Sequence, residues 1–205
     1  SACLVGSEMC IRDSYPYMQE FELRSISHFL GFCICLAAII FIPKAIQAKP
    51  GLENFSKYFL VFLLVENQIR STYVETFIKG GNLLENLPLH LCDFSAIVIA
   101  VFLLTGFRPL FIFAYFWGIA GAGMSILTPD SEFAFPHYEY FATMYGHSLI
   151  LLAVVFSIVN LGQRPYLSDI PKLIFYSSIL LVIMYGINYI LGANYWYLNE
   201  RPYGD

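Results

Sequence analysis

Several segments of this chain place ionisable side chains inside apolar runs. Glu66, Asn67, Gln68 and Arg70 interrupt one such run, with Glu66 and Arg70 at i, i+4. That spacing and order favour a Glu–Arg pair on one helix face. Residues 87–93 read LPLHLCD and set His90 and Asp93 at i, i+3. A carboxylate beside an imidazole raises its pKa and fixes its tautomer, which is how a general base is commonly oriented. Residues 137–147 read HYEYFATMYGH, with His137 at the start and Tyr140, Thr143 and His147 sharing one helical face. His28, Asn188 and Asn194 add polar groups to two further apolar segments. Each feature also has a plainer explanation: a self-neutralising ion pair that fixes packing, or a polar cap at a helix start.

The elements that carry these residues are membrane helices. Of 205 residues, 58% are apolar, 18% aromatic and only 13% charged, and mean hydropathy is +0.64. Soluble domains run nearer 45–50% apolar and about 25% charged, so one soluble domain cannot hide this surface. The net charge of −4 and the absence of a basic patch argue against nucleic-acid binding. Six apolar stretches, at about 25–43, 55–78, 88–105, 108–127, 138–160 and 170–191, approach the ~20 residues that cross a bilayer. The expected fold is an all-α polytopic bundle of about six transmembrane helices joined by short loops. In such a protein charged groups within the spans are costly and mark a functional interior. Gly118, Gly121, Ala122 and Ser125 supply a small-residue face for close helix packing. Of the five cysteines, Cys33 and Cys35 point to nearly opposite helix faces and suit lipid-facing or core packing better than a metal or redox pair.

Alternating the loops orients the bundle. One side carries Lys44, Lys49, Lys57, Arg108, Arg164 and Lys172, the other Arg24, Lys79 and Arg201. The positive-inside rule places the richer side in the cytoplasm, so both termini are expected outside. On that topology His28, His90, His137 and His147 all fall in the outer half, with Asp93, Asn188 and Asn194. This layer is expected to form one outward-facing polar pocket. Residues 4–14, LVGSEMCIRDS, resemble an in-frame translation of a sequencing adapter. Residues 1–14 are therefore expected to be artefact, and residues 15–205 a single transmembrane domain.

The ordered motifs SISH (25–28), LPLHLCD (87–93), YFWGIAGAGMSILTPD (115–130), FPHYEYFATMYGH (135–147) and NYILGANYWYLNERP (188–202) resemble the bacterial YwaF-type integral membrane proteins. These are distantly similar to animal transmembrane protein 164, an acyltransferase that remodels ether phospholipids. The animal family carries an asparagine-proline-cysteine-histidine motif. The corresponding residues here are Leu87, Pro88, Leu89 and His90, so the histidine is kept and the cysteine position is Leu89. The resemblance implies a bacterial cell-membrane protein that acts on membrane lipid, without a cofactor. As a phospholipid acyltransferase it would use His90 as general base, oriented by Asp93, and His147 as a second acid/base or oxyanion donor. Glu66 and Arg70 would hold the head group, with His28, His137, Asn188 and Asn194 completing the substrate layer. Two other classes stay open: a secondary transporter or proton-linked carrier using intramembrane ionisable groups, and a metal-dependent hydrolase ligated by His28, His90, His147 and Asp93. Substrate and oligomeric state, including homo-oligomer formation, are left open by the residues.

Overall fold

A computed structural model describes residues 21–200 apart from Arg24, Asp130 and Glu132. The adapter-like segment 4–14 and the charges Arg24 and Arg201 lie outside the described residues. The described chain is all-α. Helix α1 spans Ile26–Gln47 and is capped by Ser25, whose hydroxyl accepts the His28 N–H at 3.3 Å. Helix α2 spans Glu53–Tyr73 and runs on through a π turn, Val74–Ile78. Helix α3, Leu91–Thr105, starts after His90 and is closed by Gly106 in the left-handed conformation, φ 71°, where glycine alone avoids a Cβ clash. Helix α4 begins at Arg108 with Pro109 in its first turn, passes through a π turn at Gly118–Ala122 and ends at Leu127. Helix α5, Tyr138–Val159, is capped by His137. Helix α6, Ile170–Leu191, follows a short 3₁₀ turn with Pro171 in its first turn and stops at Gly192.

Pro109, Pro171, Gly106 and Gly192 lie at helix boundaries, whereas Pro43 sits inside α1, which runs on past the expected end at 43 to Gln47. Among the described residues four segments, Ile26–Gln47, Arg108–Leu127, Tyr138–Val159 and Leu167–Leu191, are long and apolar enough to cross a membrane. Helix α3 is apolar but shorter at 15 residues, about 22 Å at 1.5 Å per residue, against a ~30 Å hydrocarbon core. Helix α2, with Glu53, Lys57, Glu66 and Arg70 along it, falls outside that set. The expected six spans thus resolve into four full-length ones, a shorter apolar helix and a charge-bearing helix.

Short connections make successive helices antiparallel. At one end Lys79 pairs with Glu139, and His28, His90 and His137 all sit at helix starts; this is the histidine end. At the other, the basic end, Gln47 donates to the Val159 carbonyl at 3.0 Å and Arg108 pairs with Asp169. The main core lies where α2, α3, α4 and α5 meet, around Leu64, Ile99, Phe102, Phe111, Val154 and Phe156. In a bilayer such cores are held by close packing more than by exclusion of water. Gly118 shows why its small size matters: a Cβ there would meet Ile150 at 3.0 Å, so α4 and α5 approach at that point. Helix α1 packs against α5 through Ile39, Tyr140 and Met144.

Helix α6 is different. Of its 22 residues only Met184 and Asn188 are buried. Its attachment lies at its two ends. At the basic end Asp169 takes a bidentate grip from Arg108, at 2.9 and 2.7 Å. At the histidine end the Asn188 amide donates to the Tyr195 carbonyl and accepts the Tyr195 N–H, both at 2.8 Å. The Tyr195 hydroxyl then donates to the Leu84 carbonyl, and the Trp196 indole to the Leu89 carbonyl. This turn holds Trp196 and Tyr197 at positive φ, 60° and 51°, and those contacts are what hold two aromatic residues there.

Candidate functional site

A cavity of about 360 Å³ opens in the histidine half of the bundle, walled chiefly by α2, α3 and α5. Asn67, Gln68 and Arg70 come from α2, Cys92 and Asp93 from α3, and Tyr138, Thr143, Gly146 and His147 from α5. The π turn that prolongs α2 changes the helical register between Arg70 and Lys79, and both Glu75 and Lys79 reach the cavity. Such π turns recur at functional sites because they redirect side chains without ending the helix. The second π turn, in α4, brings Gly121 against Cys92, whose Sγ lies 3.2 Å from where a Cβ would stand.

His147 is the group with the clearest chemical polarity. Its Nδ1 lies 2.7 Å from the Thr143 carbonyl oxygen. A carbonyl can only accept, so Nδ1 carries the proton and Nε2 is left as the basic nitrogen of the neutral ring. Asp93 is half-buried, with the His90 backbone N–H and the Gln68 amide as its polar neighbours. It is the third residue of α3, the place an acidic side chain takes beside the free N–H groups of a helix start.

Arg70 has all three guanidinium nitrogens engaged: Nε to Glu66 at 3.1 Å, one terminal nitrogen to the Tyr138 hydroxyl at 2.5 Å, the other to Asn67 at 2.6 Å. It also lies over the rings of Tyr138 and Tyr145, 5.9 and 5.6 Å from their centroids. Lys79 closes the rim above, bonded to Glu139 at 2.6 Å and Glu75 at 3.1 Å. Partial burial works to lower its pKa, but the bonds to Glu139 and Glu75 outweigh that and hold the ammonium above the ordinary lysine value.

A profile of the TMEM164 family matches residues 19–205. The chain belongs to the TMEM164 family. A relative from Treponema pallidum (strain Nichols), an uncharacterized protein, is 29% identical over 189 residues, covering 89% of this chain and 74% of the relative. No solved structure matches. The motif resemblance read from the sequence thus holds at the level of the family, and its apolar helices make this TMEM164-family chain an integral membrane protein.

Within this TMEM164-family fold the expected outer pocket divides. Arg70, Asp93 and His147 line one cavity, with Glu66 behind Arg70. His90 is not among its lining residues. Its ring packs against Tyr195 and Tyr197, with centroids 5.0 and 5.8 Å apart, while the Asp93 carboxylate lies near its backbone N–H. His28 is buried against α5, its ring nitrogens 3.3 Å from the Tyr140 hydroxyl and 3.1 Å from the Leu127 carbonyl. His137 caps α5 by accepting the Glu139 N–H. Asn188 and Asn194 organise the turn after α6. Among the described residues no three His, Cys, Asp or Glu side chains converge as metal ligands; of the hydrolase set, Asp93 and His147 share the cavity while His28 and His90 lie elsewhere.

Sequence reasoning missed Lys79, Glu75 and Glu139. Lys79 entered only as a loop charge, because a regular α2 would give no reason to aim it at α5. Cys92 stands beside Asp93 in the sequence, and in the fold it lines the cavity with Gly121 of the α4 π turn against it.

Proposed function

We propose that this protein is a membrane-embedded acyltransferase acting on phospholipids, with His147 as its general base. The observation that carries the reading is the Nδ1–Thr143 hydrogen bond, which leaves Nε2 basic in a polar cavity set within apolar helices. Nε2 takes the proton from a lysolipid hydroxyl while that oxygen attacks the ester carbonyl carbon of a donor lipid. The tetrahedral alkoxide then expels the donor's glycerol oxygen, which recovers the proton from His147. Arg70 and Lys79 supply positive charge for the phosphate, a guanidinium fork suiting its geometry. Cys92 lines the same cavity, but the reaction written here does not require a covalent intermediate. With the cavity at the end opposite the basic loops, an outward orientation makes lipid-to-lipid transfer, rather than transfer from a cytoplasmic thioester, the expected reaction.

The test uses purified protein in liposomes with an isotopically labelled lysophospholipid acceptor. Labelled diacyl lipid should form, and His147→Gln, which keeps a polar group of similar reach, should reduce its rate by about 10²–10⁴-fold. Unchanged transfer in that variant would remove the base, and no transfer by wild-type protein across head groups would remove the reading. One observation favours a proton-linked carrier instead: Asp93 lines the cavity, and among the described residues it forms no salt bridge. Proton-coupled solute uptake abolished by Asp93→Asn would support that alternative.

A further inference from the structure

The cavity has a second neighbour that bears on how a substrate reaches it. On the outer face of α2 a shallow groove is lined by Phe62, Val65, Glu66, Ile69, Arg70 and Tyr73. Arg70 lines both this groove and the cavity. The groove is apolar apart from Glu66 and Arg70, and Phe62, Val65, Ile69 and Tyr73 are all exposed at the protein surface, a lining that suits acyl chains. The guanidinium stands in the seam between α2 and α5. Its Nε is turned to Glu66 on the groove side, and its terminal nitrogens reach Asn67 and Tyr138 on the cavity side.

We infer that the α2–α5 seam is a lateral entrance through which a membrane phospholipid passes from the bilayer into the cavity, and that Arg70 is its latch. The inference rests on the lipid-directed reading above and adds the route. Three features support it. The latch is made of side chains alone, so it can open without breaking helix hydrogen bonds. Gly146 lines the cavity on α5 and brings α2 close there: a Cβ at this position would meet the Asn67 amide at 2.9 Å, so one residue of the seam is kept free of side chain. The position also suits a head group. Tyr138 is the first residue of α5 and His147 lies nine residues on, about 13 Å deeper along the helix. A phosphate exchanging with Glu66 on Arg70 would stand at the level of the first turns of α5, with the glycerol esters below it towards His147. The rim strap from Lys79 to Glu139 lies above, towards water, so it need not open when the seam does.

Cys92 provides a reporter that does not depend on turnover. In a protein with Cys3, Cys10, Cys33 and Cys35 replaced by alanine, placed in nanodiscs, its labelling is followed with two maleimides. One is carried on a short acyl chain of a phospholipid; the other is sulfonated and stays in water. The ratio of their rates cancels the thiol's own reactivity. Arg70→Gln and Tyr138→Phe should each raise the lipid-borne rate, Arg70→Gln by about ten-fold, the worth of one charge-assisted hydrogen bond. The water-borne rate should stay within about two-fold, well inside that same energy. No rise in either variant overturns the entrance, as does an equal rise with both reagents, which would mean general loosening. A rise with the water-borne reagent alone would make Arg70 a seal against water and likewise overturn it. Because labelling needs no catalysis, an inactive protein can still show the entrance. An active one lacking the response would keep the acyltransferase reading and lose the route.

Discussion

At the scale of single residues, the structure separates histidines that sequence alone treats alike. His28 has both ring nitrogens satisfied: Nε2 donates to the Leu127 carbonyl, which leaves Nδ1 to accept from the Tyr140 hydroxyl. His147 has one nitrogen tied to a carbonyl and lines the cavity. Spacing along a helix cannot show this, because the deciding partners are a carbonyl one turn away and a hydroxyl on another helix. Asn188 is a sharper case. It is buried among apolar residues, and its amide satisfies both the N–H and the carbonyl of Tyr195, itself fully buried. Asn188→Leu would orphan both groups, each at about 1–3 kcal/mol. Thermal unfolding in detergent should therefore show a clear drop in Tm. A variant as stable as wild type would mean the turn finds other partners.

At the scale of elements, helix starts and stops follow local rules, though the expected first stretch ends at 43 and α1 runs through Pro43 to Gln47. Ser25 caps α1, Pro109 and Pro171 open α4 and α6, and Gly106 and Gly192 end α3 and α6, each for a local reason that a neighbouring residue cannot undo. The two π turns were not legible, since one added residue per turn depends on the helices packed alongside. The small-residue face of α4 packs closely, Gly118 on Ile150 and Gly121 on Cys92, but spacing alone does not name those partners. The π turn in α2 leads to Lys79, which straps α2 to α5. Because its folded pKa is raised, this strap stabilises the protein fully below the ordinary lysine value and loses its contribution as pH rises through the folded value. The Tm difference between wild type and Lys79→Met should be constant through neutral pH and shrink only above about pH 10.5. A difference that vanished near neutrality would contradict the pairing.

At the scale of the whole molecule, composition predicted a membrane bundle and the helices bear that out, while the number of full spans could not be read from hydropathy stretches alone. Glu66 and Arg70 lie in the α2 stretch together with Glu53 and Lys57, so length and polarity conflict there. The charge bias between the two ends leads to a topology prediction. With native cysteines removed, Asn82→Cys at the histidine end should react with an impermeant thiol reagent in intact cells, and Ser168→Cys at the basic end only after lysis. The reverse pattern would turn the cavity towards the cytoplasm and make a soluble acyl donor the natural choice. Helix α6 adds a mechanical consequence. A helix gripped by Arg108 at one end and by the Asn188–Tyr195 turn at the other, with little buried between, should behave as a separable strand under load. Pulled from the C-terminal side by an atomic force microscope tip, it should leave the bilayer in an early, discrete step at low force, with α2 to α5 yielding later as one block.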